Sequence, residues 1–176
     1  MKKITPFIIL IVLFVNINSC SGYKPIFNSS NFQFEIADSL IEGDKKIGNQ
    51  IYSKLFNLSK SNKNQQGIAS IYIIIKTKKE KKATSKDSTG KTLEYKISLN
   101  TNVAVIDYLT KENILNHNFI LSTSYKTQDQ YSETLKLEIK STENLINRTY
   151  EELLIKLSEK ISTKWLLKVM KYKKKI

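Results

Sequence analysis

From Leu93 to Val105 the chain alternates. Leu93, Tyr95, Ile97, Leu99, Val103 and Val105 share one parity, and Glu94, Lys96, Ser98, Asn100 and Asn102 take the other. Side chains in a strand point alternately to opposite faces, so this run predicts a long antiparallel strand with one face covered and one face wet. A sheet of that kind needs partners for its apolar face, and the flanking segments supply them.

On one side, Phe32, Phe34 and Ile36 alternate with Gln33 and Glu35, which reads as a half-buried strand. After Gly43-Asp44, the residues Ile47, Ile51, Leu55 and Leu58 recur at helical spacing and place one apolar stripe on about three turns. Ser59 to Gly67 is a polar connection. Ile68 to Ile75 is a nearly continuous β-branched run, suited to a strand buried on both sides, whereas its continuation from Lys76 to Lys82 is wholly polar and is expected to project beyond the core. Asp87-Ser88-Thr89-Gly90 and Thr110-Lys111-Glu112-Asn113 are turns.

On the other side, Ile114 to Tyr125 predicts a further strand with Leu115, Phe119, Leu121 and Tyr125 facing one way. Ile146, Tyr150, Leu153, Leu157, Ile161 and Trp165 then mark a helix that starts before Ser141 and ends in a lysine-rich tail. The order is β, α, β, β, β, α. The expected fold class is α+β: a two-layer sandwich with a four-stranded, mostly antiparallel sheet and two helices packed on one face. The opposite face should be polar and free.

The beginning of the chain carries a different kind of signal. Lys2 and Lys3 precede the apolar run from Phe7 to Val15, which is far shorter than the roughly 20 residues a membrane-spanning helix needs. The run reads as a secretory signal peptide over residues 1–19. Ile17-Asn18-Ser19-Cys20 resembles the bacterial lipobox, with an aliphatic residue three positions before the cysteine, although Asn18 stands where a smaller residue is usual. Cys20 is the only cysteine and is the candidate lipidation site. Three acyl chains at about 0.8 kcal/mol per buried CH₂ would make the anchor permanent. Ser21, rather than an aspartate, follows the pattern of lipoproteins sent on to the outer membrane.

Charge and chemistry exclude several classes. The formal net charge is +13, from 29 Lys+Arg against 16 Asp+Glu, and Arg148 is the only arginine. Lysine-biased coding accounts for such a skew as readily as attraction to a polyanion does. A single cysteine and a single histidine leave no cysteine-based zinc site, disulfide framework or conventional triad. His117 lies on the parity of Leu115 and Phe119 and reads as a tucked or edge histidine. Asp38, Glu42 and Asp44 suit capping and helix-dipole roles. No enzyme activity, metal or other cofactor is expected. The export signal argues against nucleic acid as a partner.

Lys76, Lys78, Lys79, Lys81 and Lys82 form the densest basic cluster outside the tail. They are the candidate contacts for phosphorylated sugars, against the plainer reading of a solvated hairpin. Alternation puts Lys76, Lys78 and Lys82 on one face. Tyr95, Tyr125 and Tyr150 read as core, and Trp165 as buried against the sheet.

With Cys20-Ser21-Gly22-Tyr23-Lys24-Pro25-Ile26-Phe27 at the mature start, followed by strand, basic helix, long β-meander and C-terminal helix, the chain resembles the LPS-assembly lipoprotein family LptE. The resemblance implies a division into signal peptide (1–19), lipidated linker (20–30), LptE-like sandwich domain (31–170) and basic tail (171–176). It further implies an outer-membrane lipoprotein, anchored in the inner leaflet. Such a protein sits in the lumen of the LptD β-barrel as plug and assembly partner, and binds lipopolysaccharide (LPS) during delivery to the cell surface. The alternative is a periplasm-facing lipoprotein that binds another anionic ligand without a barrel partner.

Overall fold

The computed structural model describes residues 34–60 and 69–173, with side chains described at 34–60 and 70–160. The expectations for the signal peptide, Cys20, the linker, Phe32, Trp165 and the side chains of the lysine tail lie outside the described residues. Six elements follow one another: β1 (Phe34–Gly43), α1 (Lys45–Lys60), β2 (Ala69–Lys86), β3 (Thr92–Asp107), β4 (Asn113–Lys126) and α2 (Tyr131–Lys173). The fold is α+β, in the order βαβββα.

The four strands form one sheet in the order β1-β2-β3-β4. β1 runs parallel to β2, as it must when α1 carries the chain back between them, and the β2–β3 and β3–β4 pairs are antiparallel. Both helices cover the same face. Ile71, Ile73, Ile75, Ile97, Leu99, Val103, Val105, Leu115 and Phe119 all point to it and are buried, together with Ile51 and Leu55 of α1 and Leu145, Leu153 and Leu157 of α2.

β2 is covered on one side only, where the β-branched run predicted burial on both. Tyr72 and Ile74 stand on the helix-free face and are partly exposed, beside Ala104 and Ile106 of β3. A parallel neighbour on one edge does not bring a second layer of helices, and the β-branched run therefore reflects strand propensity more than double burial. The polar stretch Lys76–Lys82 continues the strand into the expected hairpin, and its cover by α2 is what the periodicity did not announce. It stays paired with β3 as far as Lys86 opposite Thr92, and the first turns of α2 extend over part of it. At 1.5 Å per residue, the 43 residues of α2 span about 65 Å, a length comparable to the 18-residue β2 at about 60 Å. The helix therefore has the reach to follow the hairpin away from the core.

In β1 the register shifts between Ile36 and Asp38. This bulge reverses the parity: Phe34 and Ile36 face the helices before it, and Ser39, Ile41 and Gly43 take over after it. On α2 the buried line runs through Leu145, Thr149 and Leu153, so Tyr150, expected in the stripe, is only partly covered.

Two glycines permit close approach where β1 ends and α1 begins. Gly43 has φ +76°, and a Cβ there would lie 2.1 Å from the Thr77 carbonyl oxygen. Gly48, on the buried side of α1, faces Ile41, whose Cγ2 would be 2.5 Å from an added Cβ.

Candidate functional site

Two polar constructions position the side chains of the lysine-bearing hairpin. The first is a clasp at the start of α1. The Asp44 N–H donates to the Thr77 carbonyl (2.9 Å), the Thr77 hydroxyl donates to the Asp44 carbonyl (2.7 Å), and Asp44 Oδ1 accepts the Ile47 N–H (3.2 Å). Asp44 is thus the N-cap, which satisfies a backbone donor that has no partner within the helix. Glu42 turns the other way and pairs with Lys76 at 3.2 Å.

The second lies between β2 and α2. Glu138 Oε1 accepts from Lys79 Nζ at 3.2 Å, and Oε2 accepts from Lys81 Nζ at 2.6 Å and from the Tyr125 hydroxyl at 3.1 Å. Lys81 Nζ also stands 4.3 Å from the centre of the Tyr95 ring, which stacks on Tyr125. Partial burial opposes ionisation of both charged partners. The hydrogen bonds and opposite charges outweigh it, so the Lys81 ammonium titrates above the usual lysine range and the Glu138 carboxyl below the usual carboxylate range. Burial and the Glu138 carboxylate together push the Tyr125 phenol up.

The five candidate lysines therefore fall into two groups. Lys79 and Lys81 share the helix-covered face, with side chains 28% and 34% exposed, and both are engaged by Glu138. Lys76, Lys78 and Lys82 stand on the open face, at 68%, 74% and 79%. Their charge is partly offset there: Lys78 pairs with Glu80 at 2.7 Å and Lys82 lies 3.8 Å from the same carboxylate. The hydrogen bond from Lys78, with its charge, holds Glu80 below the usual carboxylate range.

Register adds a lysine that spacing did not single out. Lys96 stands directly opposite Lys82, on the same face, in a row continued by Ser124. Its parity in β3 carried that information, but the pairing with Lys82 depends on how the hairpin closes. The next rows of the open face bring Asn100 beside Lys78 and Asn102 beside Lys76, and the Asn102 amide donates to Asn116 Oδ1 at 3.4 Å. The result is a lysine- and amide-lined surface. It can offer hydrogen-bond donors and positive charge to an extended anionic partner.

His117 is exposed, its ring set edge-on to that of Phe119 with the ring centres 4.6 Å apart. Among the described residues no group of three or more His, Cys, Asp and Glu side chains could hold a metal ion, and no helix is long and apolar enough to cross a membrane.

No family model matches the chain, and no curated protein matches it. Solved structures do. A lipoprotein B from Nitrosomonas europaea superposes with a TM-score of 0.53 at 14% identity, over 74% of this chain and 87% of that one. A Caulobacter crescentus protein provisionally named a lipoprotein gives 0.52 at 10% identity, over 72% and 91%. The rare lipoprotein B of Shewanella oneidensis gives 0.49 at 16%, over 74% and 98%. At these identities the likeness concerns the fold alone: the chain shares its α+β fold with the Nitrosomonas and Caulobacter proteins.

Proposed function

We propose that this chain is an outer-membrane lipoprotein of the LptE kind, anchored through Cys20, which plugs and helps assemble an LptD-type β-barrel and binds LPS on its way to the surface. The observation that carries the reading is a conjunction. A lipobox-like Ile17-Asn18-Ser19-Cys20 stands ahead of a sandwich whose architecture recurs in bacterial lipoproteins. The physical character of the domain supports it: the interior of such a barrel is polar, and the helix-free face is lined in large part by Lys, Asn and Ser. The open-face lysines Lys76, Lys78, Lys82 and Lys96 are the LPS-contact candidates, because phosphorylated sugars present several negative charges to several cations at once. Lys79 and Lys81 act instead in holding α2.

Purification of the tagged full-length protein from its host in mild detergent, followed by mass spectrometry, tests the reading. The expected result is one-to-one recovery of a large β-barrel, with LPS lost from the cell surface on depletion. Recovery of soluble periplasmic proteins alone would favour a lipoprotein that uses the open-face lysines on another anionic ligand. Cys20→Ala should abolish labelling by radioactive palmitate and leave the protein at the inner membrane or free in the periplasm.

A further inference from the structure

The two edges of the sheet are built differently. β1 is broken by the bulge at Ala37 and carries Glu35, Asp38 and Glu42. Bulges and charges of this kind keep an edge from pairing with another strand. β4 has a register shift only at its start, where Ile114 is skipped between Leu115 and Asn113, and neither device from Leu115 to Tyr125. From Asn113 to Tyr125 it contains no Asp, Glu, Lys, Arg, Pro or Gly, in a protein of which 26% is charged, and its pairing with β3 is regular from Glu94 opposite Lys126 to Val105 opposite Leu115.

The direction of its backbone groups follows from one bond. Thr127, opposite Leu93 in the continued register, donates its N–H to the Leu93 carbonyl at 2.9 Å. Opposed residues in an antiparallel ladder alternate between pairs that exchange both bonds and pairs that exchange none. With Thr127 in a bonding pair, Tyr125, Thr123, Leu121, Phe119, His117 and Leu115 bond β3. Asn116, Asn118, Ile120, Ser122 and Ser124 direct their N–H and C=O groups to the outer edge, and all five residues are exposed. Among the described residues no backbone group pairs with that edge.

We propose that the outer edge of β4 takes up an extended segment of the barrel partner, which adds a fifth strand to the sheet through main-chain hydrogen bonds at Asn116 to Ser124. The inference rests on the barrel reading and deepens it. Self-pairing is the poorer occupant, because two copies, each at 13 − 2 = +11 once Lys2 and Lys3 leave with the signal peptide, repel one another. A neutral strand, by contrast, sets no charge requirement on the paired segment and leaves the lysines beside it to meet a neutral or acidic surface. Strand addition of this kind draws affinity from the backbone, with alternate side chains giving specificity.

Residue-resolved amide exchange on the full-length protein, alone and in detergent complex with the LptD-type barrel of its host, tests the proposal. Alone, the amides of Asn116, Asn118, Ile120, Ser122 and Ser124 should exchange fast while their odd-numbered neighbours are protected. In the complex those five should slow by at least about tenfold. Ser122→Pro removes one outward N–H and no bond to β3, and should weaken association by about three- to tenfold, whereas Ser122→Ala should leave it unchanged. Melting of the free Ser122→Pro protein verifies that the fold survives. Fast exchange at all five positions within an intact complex would overturn the strand-addition proposal and spare the barrel reading. So would protection already present in the free protein together with a dimer in sedimentation. Failure to form any barrel complex would overturn both.

Discussion

Lys81 Nζ donates to Glu138 Oε2 at 2.6 Å, joining residues 57 positions apart and tying the early part of α2 to the polar half of β2. Nearby, Leu135 and Ile139 of the same helix are substantially exposed, so little apolar burial holds this part of α2 down. The carboxylate, with three donors, is the principal attachment described there.

Glu138→Ala should therefore destabilise the protein by about 1–3 kcal/mol, since it leaves two half-buried ammonium groups and a phenol without their acceptor. Urea unfolding measures this. Protease sensitivity should rise first between Tyr131 and Thr142.

The same cluster gives a pH dependence of known sign. Glu138 titrates lower in the folded protein than unfolded, so its contribution is complete above the ordinary carboxylate range and is lost as pH falls through the depressed folded value. Lys81 titrates higher when folded, so its contribution is complete below the ordinary lysine range and is lost as pH rises through the elevated value. Glu138→Gln should flatten the acid limb of a stability profile taken from pH 7 to pH 3. An unchanged slope would mean the pair contributes nothing.

Thr101 is wholly buried opposite Thr77, and its hydroxyl has no hydrogen-bond partner among the described residues. Thr101→Val keeps the shape and removes the unsatisfied group, and should stabilise by about 1 kcal/mol. A raised urea midpoint at constant slope is the expected reading.

Gly43→Ala forces a side chain into positive φ and onto the Thr77 carbonyl. The conformational cost alone is about 1–3 kcal/mol, and the clash adds to it by displacing the Asp44–Thr77 clasp. Gly90, also at positive φ but with open space around it, should cost less on the same substitution, and parallel thermal melts compare the two.

Replacing Lys76, Lys78 and Lys82 together by Glu should weaken LPS binding at low salt and leave thermal stability nearly unchanged, because the three side chains are exposed. Replacing Lys79 and Lys81 by Glu should do the reverse, chiefly lowering stability through repulsion from Glu138. Equal LPS binding by the wild type and the first variant would dismiss the open face as the contact surface.

Element order was legible in the residues because side-chain period is a local property. The alternation from Leu93 to Val105, the helical recurrence from Ile47 to Leu58, and the turn at Asp87-Ser88-Thr89-Gly90 each declare themselves within a short window. Capping by Asp44 was legible for the same reason. The lysine cluster was visible as composition, but composition does not say which lysine meets which carboxylate.

What the chain alone determined is the α+β class, the one-sided apolar character of β3 and β4, and the division of Lys76, Lys78 and Lys82 from Lys79 and Lys81 by parity. What only the tertiary structure decided is which face each parity occupies, that Glu138 engages Lys79 and Lys81, that Lys96 joins Lys82, that a bulge inverts β1, and that β4 ends the sheet with an unguarded edge. The reason is that periodicity is set by backbone geometry between neighbouring residues. Register, by contrast, is a relation between segments distant in the chain, settled when the apolar faces of the whole domain are buried together.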